Sequence, residues 1–256
     1  MSTLSPSRST GAAPNTDPGS TQKGGMARFL RACGGGKPRA TLDRSEPHPV
    51  AYNRKDAAYR RAKREGYRSR AAYKLEELDR RFKLFRRGHR VVDLGCWPGA
   101  WLQYAAEKTG HEGRLVGVDL AESEPLGGKN IRVLVGDAAD EAIVETVRSE
   151  LGGPADVVLS DMAPKLTGVK PADAVRHAEL VRLAIDRSRQ WLQPDGALVV
   201  KLFMDAEYQD LISELRSTFR AVRSVKPDSS RQGSSELYTC ARGLRCDGKS
   251  PVDGDT

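Results

Sequence analysis

Cysteine, histidine and long apolar runs are what this chain has least of. Its 256 residues include 4 Cys and 4 His. Cys33, Cys96, Cys240 and Cys246 form no CxxC pair and the histidines are scattered, so the close-spaced ligands of a zinc centre are missing. The expectation is reduced cysteines in a cytosolic protein, with no bound metal. Apolar stretches such as residues 197–203 fall far short of the roughly 20 residues of a membrane-spanning helix. No apolar run near Met1 has the form of a secretion signal. A charged fraction of 30% points to a soluble chain, long enough for one domain of roughly 200 residues and a tail.

Positive charge is in excess, and in one place. The net charge is +8. Between Ala51 and Arg90 stand 15 Lys or Arg against 5 Asp or Glu, so this segment alone exceeds the whole surplus. A concentrated basic face attracts a phosphate backbone by releasing its counterions. A solvated basic helix without a partner would carry the same charge. Tyr52, Tyr59, Tyr67 and Tyr73, interleaved with the basic residues, favour RNA, because aromatic faces stack on bases.

Residues 1–50 are rich in Ser, Thr, Pro and Gly and lack apolar periodicity. They are expected to form a disordered tail, as are residues 246–256. The first tail is poor in acids, faintly like an organellar transit peptide, but only residues 28–32 have amphipathic character. A cytoplasmic monomer is the expectation.

The domain is expected over residues 51–245, opening with a basic helical segment at 54–87 that breaks near Gly66. Ala71, Leu75, Leu78 and Phe82 share one helical face, with Lys74 at its border. Beyond Gly88 the pattern alternates between short apolar strands and amphipathic helices. Strands are predicted at 90–95, 114–120, 131–137, 155–161 and 196–203, and Pro194, Asp195 and Gly196 read as a turn before the last of these. Two more, near 219–226 and 237–242, have no helix between them and should pair antiparallel. The fold class is α/β: a Rossmann-like, mostly parallel seven-stranded sheet with helices on both faces.

In such sheets the ligand lies beyond the carboxyl ends of the strands. The segment VVDLGCWPGAW (residues 91–101) puts a glycine turn there, with Gly95 and Gly99 allowing close backbone approach. It is not GxGxxG, and Asp93 would repel a pyrophosphate, which argues against a nicotinamide-dependent oxidoreductase. A cofactor with a cationic amino-acid end suits Asp93. Asp119 ends the next strand and can accept from ribose hydroxyls. Asp137 follows the third and can accept from an adenine amino group. Each acid could instead cap a helix, but three at successive strand ends describe S-adenosylmethionine better. Lys201 and Asp161 stand at the ends of two further apolar strands, where a charged residue is rarely idle.

These segments, together with LSDMAP, VVKLF, SSELYTCARG and RSRAAYKL, resemble the FtsJ/RrmJ family of ribosomal RNA 2'-O-methyltransferases over roughly residues 52–243. The resemblance implies a Lys-Asp-Lys-Glu tetrad at Lys74, Asp161, Lys201 and Glu236. It implies cofactor contacts at Gly99, Trp101, Asp119, Asp137 and Asp161. The expected partner is ribosomal RNA or the large ribosomal subunit, reached through the basic segment 54–90. Methyl transfer from a sulfonium is an in-line displacement, so the protein mainly positions and tunes. Lys201 would either take the hydroxyl proton or orient the hydroxyl as a cation. Asp161 would fix Lys201, while Lys74 and Glu236 would position the ribose. Family members usually carry two small residues where this chain has Cys96 and Trp97; the Trp97 ring either narrows the cofactor pocket or points outward. Methylation of tRNA or of an mRNA cap, and a non-catalytic RNA-binding role on the same fold, are the alternatives.

Overall fold

The computed structural model describes residues 57–230 and 234–245. The expected tails 1–50 and 246–256, and Tyr52, lie outside the described residues. The elements are α1 (Ala57–Glu65), α2 (Ala71–Phe82), β1 (Arg90–Leu94), α3 (Ala100–Thr109), β2 (Arg114–Asp119), β3 (Ile131–Val135), α4 (Glu141–Leu151), β4 (Ala155–Ser160), α5 (Lys170–Trp191), β5 (Leu192–Phe203), α6 (Tyr208–Thr218), β6 (Phe219–Val225) and β7 (Glu236–Leu244). The break between α1 and α2 includes Gly66, at φ +79°.

The seven strands form one sheet in the order β3-β2-β1-β4-β5-β7-β6. Pairing is parallel from β3 through β5, and β7 runs antiparallel to both β5 and β6. Side chains alternate faces along each strand, and both faces are covered. On one, Val92, Val158 and Leu198 pack with Val144 of α4, Ile185 of α5 and Leu211 of α6. On the other, Val91, Leu159 and Val199 pack with Leu75 and Leu78 of α2 and Leu102 of α3. Burial on both faces explains why β1, β4 and β5 read as unbroken apolar runs rather than alternating ones.

Two expectations need correcting. Pro194, Asp195 and Gly196 do not precede β5 as a free turn; they lie within it as a bulge. The β4–β5 register passes from Ala155↔Leu192 to Val157↔Ala197, five steps on β5 against two on β4. A missing N–H and an absent side chain serve a bulge as well as a turn. Tyr67 and Tyr73 are not available to bases. Their rings meet edge to face with centroids 5.9 Å apart. The Tyr67 hydroxyl donates to Glu107 at 2.7 Å and that of Tyr73 to Glu65 at 2.9 Å. Tyr67, in the break between α1 and α2, and Tyr73, on the inner side of α2, gain more from packing with a satisfied hydroxyl than from projecting into water.

His177 of α5 is 1% exposed, with its ring centroid 4.5 Å from that of Phe203. Burial, then the nearby charge of Lys201, depress its pKa to about 4, against weaker opposing pulls from Asp205 and Asp161. Unfolded, the same imidazole titrates at its ordinary 6.5. The unfolded chain therefore binds a proton that the folded one refuses, and stability falls as the pH drops from 6.5 toward 4. Replacing His177 with Leu removes this dependence. The stability difference between variant and wild type is expected to shift by about 2 kcal/mol in the variant's favour from pH 7 to pH 5. Urea unfolding at the two pH values measures it; a constant difference would show that His177 is not held neutral.

Candidate active site

The strand order reverses between β1 and β4, and the carboxyl ends of the parallel strands open a crevice there. Two hollows occupy it. The larger, about 350 Å³, is lined by Asp119 and Asp137 and by apolar groups including Met162, Leu180 and Leu183. The smaller is lined by Ser69, Asp93, Trp97 and Trp101. Gly95 and Asp161 line both, so the hollows meet at these two residues.

Gly95 has φ +74°, and a Cβ there would lie 2.8 Å from Met162 Cγ. Both the conformation and the contact require glycine. Gly99, also expected to face the cofactor, is not in the lining of either hollow; it caps α3, and its Cα faces the Leu126 methyls. Trp101 is 4% exposed, its indole N–H donating to the Ala71 carbonyl at 2.8 Å. Its ring walls the smaller hollow. Trp97 resolves its two alternatives by pointing outward, 58% exposed.

The three acids are not helix caps. The cap of α4 is Asp140, which accepts from the Ala142 N–H at 2.9 Å. Asp137 accepts from Ala139 through one oxygen only and keeps the other. Asp119 receives the N–H groups of Trp97 and Ala121, at 2.8 and 2.9 Å, which fix its carboxylate at the pocket wall. Asp93 is 1% exposed, and neither of its side-chain oxygens has a hydrogen-bond partner. Burial, then the charges of Asp161 and Asp119, push its pKa well above the usual carboxylate range. A buried acid without a donor is costly, and a cationic group in the hollow would relieve that cost. That orphaned pair of oxygens, beside a cleft with two further carboxylates, fits a nucleoside cofactor with an ammonium end.

The tetrad residues come together through strand register. In the antiparallel β5–β7 pair, Lys201 stands opposite Tyr238 and Phe203 opposite Glu236. Opposed residues share a face, and Val199, Tyr238 and Cys240 lie on the face covered by α2, the helix that carries Lys74. The Lys201 ammonium donates to Asp161 Oδ1 at 2.8 Å and to the Asp161 backbone carbonyl at 2.6 Å. Tyr238 donates to the same Oδ1 at 2.8 Å and accepts from Lys74 Nζ at 3.2 Å. Lys74 pairs with Glu236 Oε1 at 2.7 Å. Burial, then the charges of Asp161 and Glu236, hold Tyr238 as the neutral phenol. Burial pushes Glu236 up, but the hydrogen bond and charge of Lys74 outweigh it and keep the carboxylate ionised. An ammonium has three donors. Lys201 spends two on Asp161, which leaves one for a substrate oxygen.

Sequence reasoning missed three residues that hold this arrangement. Tyr238 joins the Lys74–Glu236 pair to the Lys201–Asp161 pair; its two-residue spacing from Glu236 on a strand was the available signal. Arg187 of α5, 6% exposed, donates to the Ala138 and Ala139 carbonyls at 2.8 and 2.7 Å and so pins the turn that carries Asp137. Arg68 donates to the carbonyls of Pro98, Glu124 and Pro125 at 2.7–3.0 Å, tying the loop after β1 to the loop after β2. No local pattern distinguishes either arginine from its exposed neighbours.

A seven-stranded sheet with β7 antiparallel, carrying acids at the ends of β1 and β2, after β3 and after β4, defines a methyltransferase of the Rossmann-like class. The family model for FtsJ-like methyltransferases matches residues 67–244. A curated relative from Methanobrevibacter smithii, named ribosomal RNA large subunit methyltransferase E, is 44% identical over 72% of this chain and 87% of its own. A relative of the same name from Delftia acidovorans is 45% identical over 74% of this chain and 91% of its own. A crystal structure described as a ribosomal RNA methyltransferase from Plasmodium falciparum superposes with a TM-score of 0.63 at 27% identity, covering 70% of this chain and 98% of that one. This chain belongs to the FtsJ-like methyltransferase family. Among the described residues no helix is long and apolar enough to cross a membrane.

Proposed function

We propose that this chain transfers the methyl group of S-adenosylmethionine to the 2'-hydroxyl of a uridine ribose in large-subunit ribosomal RNA. The observation that carries the reading is the connected network Lys201–Asp161–Tyr238–Lys74–Glu236, anchored at the residue shared by both hollows. The names borne by the relatives support large-subunit RNA as the substrate.

When bound, S-adenosylmethionine supplies an electrophilic methyl carbon on a sulfonium. The residues that would hold it are Asp119 and Asp137 at the nucleoside, Met162 and Leu183 against its apolar surface, and Asp93 at its ammonium. The chain's own groups handle the hydroxyl. Lys201 takes the ribose oxygen on its third donor and stabilises the negative charge that develops as the oxygen–methyl bond forms and the sulfonium–methyl bond breaks, with the hydroxyl proton passing to solvent water. Asp161, held by Tyr238, fixes the Lys201 ammonium. Lys74 and Glu236, ion-paired at the α2 side, hold the ribose. Arg60, Lys63, Arg64, Arg80, Arg86 and Arg87 are exposed on the basic segment and meet the phosphates. The chain acts as a monomer in the cytoplasm.

Incubation with tritiated S-adenosylmethionine and large ribosomal subunits, followed by digestion to nucleosides, tests the reading. Label in 2'-O-methyluridine is the expected result. Label on a base, or on tRNA in preference to subunits, would overturn it.

A further inference from the structure

We propose that Trp97 is a stacking platform for a nucleobase of the RNA substrate. Trp97 follows β1 in the loop at the carboxyl edge of the sheet. Of the three Trp in the chain, Trp101 and Trp191 are 4% and 2% exposed and belong to the interior. Trp97 is 58% exposed. An indole left in water forgoes a large burial gain, so its place at the rim of the smaller hollow, alongside Asp93 and Asp161, calls for an occupant.

The backbone that carries it is braced. The Trp97 N–H donates to Asp119 Oδ2 at 2.8 Å. The next carbonyl, that of Pro98, accepts from Arg68, whose guanidinium also holds Glu124 and Pro125. The ring is thus presented from a fixed loop tied to the basic segment through Arg68. Its neighbours along the same edge are also apolar and open. Leu120 after β2, Leu166 after β4 and Met204 after β5 are 75%, 69% and 65% exposed. Loops that follow parallel strands emerge on one edge of the sheet, so these side chains surround the mouth of the crevice.

The cofactor is not the occupant of the Trp97 ring. Trp101, 4% exposed, walls the smaller hollow from the interior, whereas Trp97 stands at its rim with 58% of its surface open to solvent. A duplex groove offers phosphates rather than apolar surface. Unpaired bases offer aromatic faces, and proteins that read single-stranded RNA take them on exposed aromatic rings. The large positive charge of residues 51–90 favours a polyanion over an apolar protein partner at this edge. The occupant is therefore an unstacked base of the RNA, at or next to the nucleotide whose ribose enters the tetrad.

The inference rests on the reading of the chain as an RNA methyltransferase, and the test separates the two. The full chain, as wild type, Trp97→Ala and Trp97→Phe, is titrated with a short single-stranded RNA of mixed sequence while indole emission is followed. In parallel, the cofactor dissociation constant and the KM for large ribosomal subunits are measured. RNA is expected to quench wild-type emission. Trp97→Ala should bind RNA about tenfold more weakly, and raise KM in proportion, with cofactor affinity unchanged; Trp97→Phe should retain most of both. Equal RNA affinity in wild type and Trp97→Ala would overturn the proposal, as would a loss confined to cofactor binding. Wild-type quenching without methylation of subunits would remove the methyltransferase reading and leave the platform standing.

Discussion

Replacement of Lys201 by Met is expected to lower methyl transfer by about 10²–10⁴-fold while leaving cofactor affinity within about twofold. Met keeps the length of the side chain and tolerates burial, so the 7% exposed site stays filled. What is lost is the ammonium held against Asp161, whose third donor is free for the ribose oxygen. Asp161 keeps its hydrogen bond from Tyr238 and still lines both hollows, which is why cofactor binding should survive. The loss should fall on kcat rather than on KM for the RNA, because the charge on the ribose oxygen exists mainly in the transition state. Lys201→Arg keeps the charge but brings a planar fork into a site shaped for an ammonium, and should recover little. Single-turnover methylation of large subunits at saturating cofactor measures the step directly. A Lys201→Met variant within tenfold of wild type would remove Lys201 from the chemistry and leave the network a structural one. If cofactor affinity falls in parallel with the rate, Lys201 acts by ordering the pocket instead.

The sheet could be read from the sequence because its central strands are buried on both faces and appear as uninterrupted apolar runs. The bulge at Pro194–Gly196 could not, since the same residues terminate strands and distort them. The acids at the strand ends were visible because a charge beside an apolar run is rare; Asp93, Asp119, Asp137 and Asp161 each break the pattern. Lys74 and Glu236 are different. They sit on a basic helix and at a strand start, where charged residues are ordinary; the register of β7 against β5 brings Glu236, and the packing of α2 on that face brings Lys74, to Lys201. Tyr238 is the clearest omission. It looks like one more buried strand aromatic, and its hydroxyl acquires meaning only when α2, β4 and β7 converge on it. Tyr67 and Tyr73 erred in the other direction, because interleaving with basic residues says nothing about whether a ring faces water or the interior.

Replacing Asp93 by Ala is expected to make the free protein more stable and the cofactor complex weaker. In the free protein the carboxyl is buried, has no hydrogen-bond donor, and lies near the charges of Asp161 and Asp119. Removing a buried group that no partner satisfies is expected to add about 1 kcal/mol to the unfolding free energy. The same deletion removes the counter-charge for the ammonium, and the cofactor dissociation constant should rise about a hundredfold, as expected when one partner of a buried charge pair is lost. Asp93→Asn keeps the shape without the charge, so it should lose affinity nearly as fully; retained affinity would show that the side chain acts by filling space. The pH behaviour follows with a definite sign. Asp93 titrates higher in the folded free protein than its ordinary 3.8 in the unfolded chain. The folded state therefore binds the extra proton, and its contribution to stability declines as the pH rises above that value. A bound cation favours the carboxylate and lowers the same pKa, so cofactor binding should release a proton and tighten as the pH rises, up to the free protein's raised pKa. Calorimetric titration of the cofactor in two buffers of different ionisation enthalpy counts that proton. Measured across a series of pH values, its absence throughout in wild type, or its persistence in Asp93→Asn, would place the ammonium somewhere other than Asp93.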